Sequence, residues 1–257
     1  MKKIFSHAGQ FKQKIATQDL LFGTRISLNS LATTESLGLL PFDWFFIDME
    51  HTEVPESKLS TILVTLRDKP CLVRIAKNDE VYIKRALDAG AEGLIIPKVS
   101  NSVDAKNAVR SSKVYPLGDR GIGLARSNGF GDNLEAYLKS ANSDFLLIAQ
   151  IEDKDGVKNI DSILDVEGID AVFVGPYDLS ISLGVANQFE STEFLESIEE
   201  VIRSCKEKEK PIGIFETKKN KINDLINKGF TFFCLSSDIS FLITEAKNNI
   251  LDIKGKF

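Results

Sequence analysis

Short apolar runs alternate with amphipathic stretches along most of the chain. Eight runs, at residues 21–26, 44–47, 71–75, 93–96, 145–151, 171–174, 211–214 and 232–235, are apolar mainly on successive positions. That is how strands buried on both faces of a parallel sheet read, whereas a half-exposed strand alternates. Between and after them, residues 31–40, 56–66, 80–89, 103–109, 157–164, 194–208, 221–228 and 239–249 carry apolar side chains at helical spacing. Several have proper ends, such as Asn78 or Asp79 before one helix and the Ala89-Gly90 stop after it. An N-terminal segment with Phe5, Phe11 and Ile15 on roughly one side reads as a further helix. Eight strand–helix units in 257 residues predict a single (β/α)8 barrel over 1–257, with no linker or composition shift to mark a second domain.

One stretch breaks this rhythm. Residues 113–142 insert YPLGDRGIGLARSNGFG, with five glycines, before the fifth strand. A loop of that length inside a compact domain is expected to be functional.

Composition narrows the classes. With 43% hydrophobic and 27% charged residues the chain can bury a large core under a charged surface. A balance of 32 basic against 37 acidic residues gives no electrostatic reason to bind nucleic acid or an anionic membrane. The basic clusters at 206–210 and 218–221 read as solvated helix faces. Cys71, Cys205 and Cys234 lie far apart without CxxC spacing, so three reduced thiols are expected rather than disulfides or a zinc cluster. The basic start MKK is followed by Ser6, His7, Gln10 and Lys12 instead of a signal-peptide core, and no apolar run nears a membrane-spanning length. A cytoplasmic protein is the expectation.

Barrel chemistry sits at the C-terminal ends of strands. There the second strand ends in Asp48, Glu50 and His51, the third in Arg74, the fifth in Gln150 and Glu152, and the sixth in Gly175, Pro176 and Asp178. Buried carboxylates and guanidinium groups are costly unless paired or metal-bound, so their concentration on one rim points to a site. Glu152 and Asp178, from adjacent strands, fit either the hard-oxygen ligand set of Mg²⁺ or Mn²⁺ or ion pairs with Arg74 or lysines. His51 reads either as a general base or as a structural histidine. His7 reads as a surface residue. Asp88, near the end of the third helix pattern, passes for an exposed carboxylate, with partnership to His51 as the sharper reading. Lys98, after the fourth strand, reads as a rim cation or, if desolvated, as a Schiff-base lysine. No P-loop or dinucleotide fingerprint is present.

In chain order FFIDMEH, LVRIAKND, ALDAGAEGLIIPKV, RGIGLAR, AQIED, LDVEGIDAVFVGPYDLSISLG and PIGI resemble the HpcH/HpaI family of metal-dependent (class II) pyruvate aldolases, over roughly residues 20–240. The resemblance implies a (β/α)8 barrel that reversibly cleaves a 4-hydroxy-2-oxo acid to pyruvate and an aldehyde through a pyruvate enolate. It implies a divalent cation, Mg²⁺ or Mn²⁺ with Co²⁺ or Zn²⁺ as further options, on Glu152 and Asp178. It places the base on His51, that histidine's carboxylate partner on Asp88 and a substrate-binding arginine on Arg74. Gln150, Gly175, Pro176, Tyr177 and Asp178 would line the pyruvate pocket, with backbone N–H groups after Gly175 meeting its carboxylate. A homo-oligomer, a hexamer with a C-terminal helix at the interface, is implied as well. Its partners would be small-molecule 2-oxo acids and aldehydes.

Three departures from the family pattern bear on the aldehyde end: the RGIG loop is short, Lys98 replaces a neutral side chain, and Phe215 is bulkier than the usual aliphatic residue. The alternatives are a related lyase or decarboxylase acting on an oxaloacetate-like or CoA-linked acid, and a catalytically silent barrel used for binding.

Overall fold

Eight strands, β1 (Leu21–Ile26), β2 (Trp44–Asp48), β3 (Cys71–Arg74), β4 (Gly93–Ile96), β5 (Leu146–Ile151), β6 (Ala171–Val174), β7 (Ile212–Glu216) and β8 (Phe232–Ser237), pair in parallel with their neighbours. β8 returns to β1, with Leu21 opposite Phe232, so the sheet closes into a barrel. This computed structural model describes residues 8–255. The readings of Phe5 and His7 lie outside the described residues. All eight strand runs expected from the sequence are present, because continuous apolar runs have a buried face on both sides in a parallel barrel.

The helices are α1 (Ala8–Ala16), α2 (Leu31–Gly38), α3 (Glu56–Thr65), α4 (Glu80–Asp88), α5 (Ser102–Ser112), α6 (Leu134–Ser140), α7 (Lys154–Lys158), α8 (Ile160–Leu164), α9 (Pro176–Ser182), α10 (Thr192–Glu207), α11 (Ile222–Lys228) and α12 (Asp238–Lys254). Caps set several starts: Ser30, Asp79, Asn101, Asp153 and Ser191 each accept a first-turn backbone N–H. The single helix expected at 157–164 is two, broken at Asn159, whose φ/ψ of −101°/12° ends one and begins the next. The 113–142 segment is also less irregular than expected. It folds into a 3₁₀ segment, Arg126–Gly131, followed by α6, which has no buried residue and so leaves little apolar pattern to detect.

Two cores result. One lies between strands and helices. The other fills the barrel, where Trp44, Phe46, Leu72, Ile95, Ile148, Phe173 and Phe232 interdigitate and α1 closes the floor with Phe11 and Ile15. Trp44 fits because β1 approaches it at Gly23, where a Cβ would lie 2.5 Å from the indole.

Chain direction sorts residues between the two ends. A strand-to-helix loop lies on the rim at the strand C-termini, and a helix-to-strand loop lies on the opposite rim. Asp88 ends α4, and the 113–142 segment joins α5 to β5, so both belong to the floor side. α12 departs from the usual arrangement: Leu242, Ile243, Ile250, Leu251 and Ile253 are exposed along it. Among the described residues no helix is long and apolar enough to cross a membrane.

At the start of β4, Glu92 is buried and accepts the Cys71 N–H at 2.9 Å. Burial raises its carboxyl from 4.5 to about 7. The folded state therefore binds the extra proton between about 4.5 and 7, and stability falls as pH rises through that window and levels off above it. Glu92→Gln keeps an acceptor for Cys71. It is expected to flatten this slope and to raise stability at pH 8 by about 3 kcal/mol relative to wild type, measured by urea unfolding at pH 5 and pH 8.

Candidate active site

The rim at the strand C-termini opens into a cavity of about 380 Å³. Arg25, Phe46, His51, Arg74, Gln150, Gly175, Asp178, Phe215, Thr217 and Ser240 are among the residues that line it. Parallel pairing places these groups together, since every strand delivers its last residue to the same rim.

Asp48 and Arg74 occupy its centre. They are partners across β2 and β3, and Asp48 is fully buried. Arg74 donates from Nε to Oδ1 at 3.0 Å and from Nη2 to Oδ2 at 2.8 Å, the two-pronged geometry a guanidinium offers a carboxylate. Burial alone would raise the Asp48 carboxyl, yet the Arg74 bonds and charge outweigh it and hold the group below its ordinary value. Arg74 is raised for the converse reason, the charges of Asp48, Glu50 and Glu152 overriding its desolvation. Its guanidinium also lies over the Phe46 ring, 5.3 Å from the centroid. Asp48 Oδ1 further accepts the N–H groups of Glu50 at 3.1 Å and His51 at 3.4 Å, so one carboxylate fixes both the arginine and the loop that carries the histidine.

The carboxylates form a second pole. Glu152 follows β5 and is 3% exposed. Its Oε1 accepts the Lys98 N–H at 2.7 Å and its Oε2 accepts Gln150 Nε2. Burial raises its carboxyl above the ordinary value against those two bonds, and the charges of Glu50 and Asp178 push the same way. Glu50 is raised as well, by burial first. Gly175, after β6, makes room: a Cβ there would lie 2.9 Å from Glu152 Oε2 and 3.2 Å from Gln150 Nε2. Asp178 stands in the first turn of α9, with Pro176 opening the helix. Among the described residues no group of three or more histidine, cysteine, aspartate or glutamate side chains gathers as a full metal cage. Two hard carboxylate donors with the remaining positions open to water and substrate oxygens is nevertheless a set that suits an octahedral divalent cation.

One expected pairing is not made inside a single chain. Asp88 does not meet His51 within the chain. Its carboxylate receives Arg120 Nη2 at 2.8 Å on the floor side, roughly 13 Å of α4 away from the rim at about 1.5 Å per residue. His51 is exposed at the cavity mouth, and its charged neighbour is Glu50, with Nε2 to Oε2 at 3.8 Å. The RGIG loop is likewise on the floor side and does not line the cavity of its own chain. Lys98 has φ +53°, which turns its N–H onto Glu152 while its side chain stays exposed and lacks the burial that activates a Schiff-base lysine. Phe215 lines the cavity, as the sequence suggested, and Tyr177 packs against it with ring centroids 6.2 Å apart.

One residue escapes the reading of strand ends. Arg25 lies inside β1, and its signal was a lone charge within the otherwise uncharged run LFGTRI. Asp48 stands at the strand end, as the sequence indicates, and the structure adds its partner, Arg74.

Comparison with known proteins bears on the family and the fold. Residues 22–244 match the model of the HpcH/HpaI aldolase/citrate lyase family. A hydroxypyruvate/pyruvate aldolase of Roseobacter denitrificans is 33% identical over 93% of this chain and 94% of its own. A 4-hydroxy-2-oxo-heptane-1,7-dioate aldolase of Shigella sonnei is 34% identical over 92% of both. The crystal structure of a family protein from Burkholderia cenocepacia superposes with a TM-score of 0.92 at 28% identity, covering 96% of this chain and 99% of that one. Fold, rim chemistry and these relatives together place the chain in the HpcH/HpaI aldolase/citrate lyase family of carbon–carbon lyases.

Proposed function

We propose that the protein, acting over 1–257 as one barrel domain, is a divalent-metal-dependent aldolase that reversibly cleaves a 4-hydroxy-2-oxo acid to pyruvate and an aldehyde. The observation that carries this reading is that half-buried Asp178 lines one rim cavity with Arg74 and Gln150, while buried Glu152, bonded to Gln150 and set against Gly175, stands directly behind that wall. Glu152 and Asp178 would hold the cation, Mg²⁺ or Mn²⁺ best and Co²⁺ or Zn²⁺ acceptably, because carboxylate oxygens suit all four. When bound, it supplies Lewis-acid polarisation of the keto group.

The chain's own groups do the rest. Arg74, held rigid by Asp48, presents positive charge to the keto oxygen, where negative charge grows as the C3–C4 bond breaks. His51 takes the proton of the C4 hydroxyl, the C3–C4 electron pair passes into the enolate, and the aldehyde leaves. A proton from solvent water then adds to the enolate at C3 to give pyruvate, and His51 gives up its own proton to the hydroxide left behind. Gln150 and the turn from Gly175 through Pro176 to Tyr177 border the 2-oxo acid.

The pairing of His51 with Asp88 implied by the family resemblance has to be made between copies, since α4 separates the two within one chain. A homo-oligomer, hexameric by that resemblance, fits the exposed apolar side of α12. Three unpaired thiols support a reducing, cytoplasmic setting.

Exchange of the pyruvate methyl protons in D₂O, followed by NMR, tests the reading without an aldehyde. Exchange is expected with Mg²⁺ or Mn²⁺, to stop with EDTA, and to fall at least a hundredfold in Glu152→Ala; exchange that survives EDTA would overturn the metal-dependent mechanism. Gly175→Ala probes the cradle, since its new methyl group meets Glu152 Oε2. It is expected to weaken Mn²⁺ binding about tenfold or more, measured from the free-ion electron paramagnetic resonance signal. Thermal unfolding checks that the fold is kept.

A further inference from the structure

The aldehyde end of the cavity carries a charge the proposed mechanism does not use. Arg25 lies on β1, four strands from β5 by either way round the closed barrel and hence opposite the Glu152 pole. A cavity of about 380 Å³ falls in the range of roughly 300–1,000 Å³ that encloses a whole small-molecule ligand, and its wall runs from Arg25 to Gln150, Gly175 and Asp178 beside Glu152.

The two arginines of the cavity differ in how well they are bonded. Arg74 has two short bonds to Asp48 and approaches Glu50 at 3.3 Å. Arg25 reaches Asp48 only once, from Nη1 at 3.5 Å, to the Oδ2 that Arg74 already occupies at 2.8 Å. Its buried Nε has no hydrogen-bond acceptor, and its Nη2 finds none among the described residues. Leaving guanidinium donors unmatched in a part-buried site is costly, and a ligand acceptor is the natural remedy. The flat face of Arg25 rests on Phe215, with Cζ 5.0 Å from the ring centroid, which holds the guanidinium in a fixed plane. Thr217 and Ser240 bring neutral hydroxyl groups to the same part of the wall.

The backbone is adapted to this side chain. Gly23 pairs with Cys234 but Arg25 pairs with Ser237, so β8 contains one extra residue opposite this end of β1. Ser236 takes φ +59° within the bulge, and Thr24 Oγ1 anchors it by donating to the Leu235 carbonyl at 2.9 Å. Bulges of this kind re-aim side chains at barrel rims.

We propose that Arg25, backed by Phe215, is an anion subsite for the acceptor aldehyde, so that the natural 4-hydroxy-2-oxo acid carries a second negative group at its far end. The group is a carboxylate or a phosphate, both of which match the planar fork of a guanidinium. This inference rests on the aldolase reading above.

The test is aldol addition by the metal-loaded enzyme with saturating pyruvate and matched aldehyde pairs: 4-oxobutanoate against butanal, and glyceraldehyde 3-phosphate against glyceraldehyde. Wild type is expected to favour the charged member of at least one pair tenfold or more in kcat/KM, and the pair that shows it identifies carboxylate or phosphate. In Arg25→Met that ratio should fall at least tenfold, chiefly through the aldehyde KM, and Arg25→Lys should restore part of it. A wild-type ratio near or below one in both pairs overturns the subsite without any variant, as does a ratio unchanged in Arg25→Met. Pyruvate proton exchange measured alongside separates the two readings. If wild type exchanges but shows no charge preference, only the subsite falls; if it does not exchange at all, the aldolase reading falls and takes the subsite with it.

Discussion

The buried Asp48–Arg74 pair is the constraint on which the site depends. A guanidinium at this depth needs a matched carboxylate, because a lone buried charge would cost several kcal/mol. Asp48 supplies the match and has lone pairs left for the Glu50 and His51 backbone. Position, charge state and loop conformation are therefore coupled through one side chain. Replacing it would release Arg74, unpin the histidine loop and leave the cation beside Phe46 with Glu50 as its one remaining ion-pair partner among the described residues. Ion pairs of this kind are weak evidence for stability, and their value here lies in geometry.

The acidic pole follows a different logic. Glu152 is kept in place by neutral donors, the Lys98 N–H and the Gln150 amide, and not by a cation of its own. Burial and the neighbouring Glu50 and Asp178 all oppose its charged form. A protein that merely needed a polar rim would relieve this repulsion by pairing or by substitution. Retaining three carboxylates within electrostatic reach of one another is intelligible when a cation is to be held between two of them.

Much of this was legible in the sequence. Eight continuous apolar runs separated by amphipathic stretches have few solutions other than a parallel barrel, and the rim rule then puts Glu152, Asp178, Arg74 and Gln150 on one rim. What the sequence concealed was direction and partnership. Asp88 and the RGIG loop stood beside site motifs in the linear order, yet helices run back down the barrel and carry both to the floor. Arg25 was hidden because it precedes the end of its strand, and the bulge in β8 that accompanies it depends on the register between two strands far apart in sequence. The split of 157–164 at Asn159 and the short α6 reflect local backbone choices that carry little apolar pattern.

Charge balance ties the two poles together. Arg25, Arg74 and Asp178 line the cavity, and Asp48, Glu50 and Glu152 stand within electrostatic reach of them, so that four carboxylates face two guanidinium groups. A divalent cation on the Glu152 side would neutralise the excess and leave that end able to accept a 2-oxo carboxylate. Its positive field would add to that of Arg25 at β1, where Asp48 is already committed to Arg74. The far end of the cavity thus remains electropositive once the near end is neutral. A substrate with one negative group would satisfy half of this site, whereas one with a negative group at each end would satisfy both arginines and the cation together.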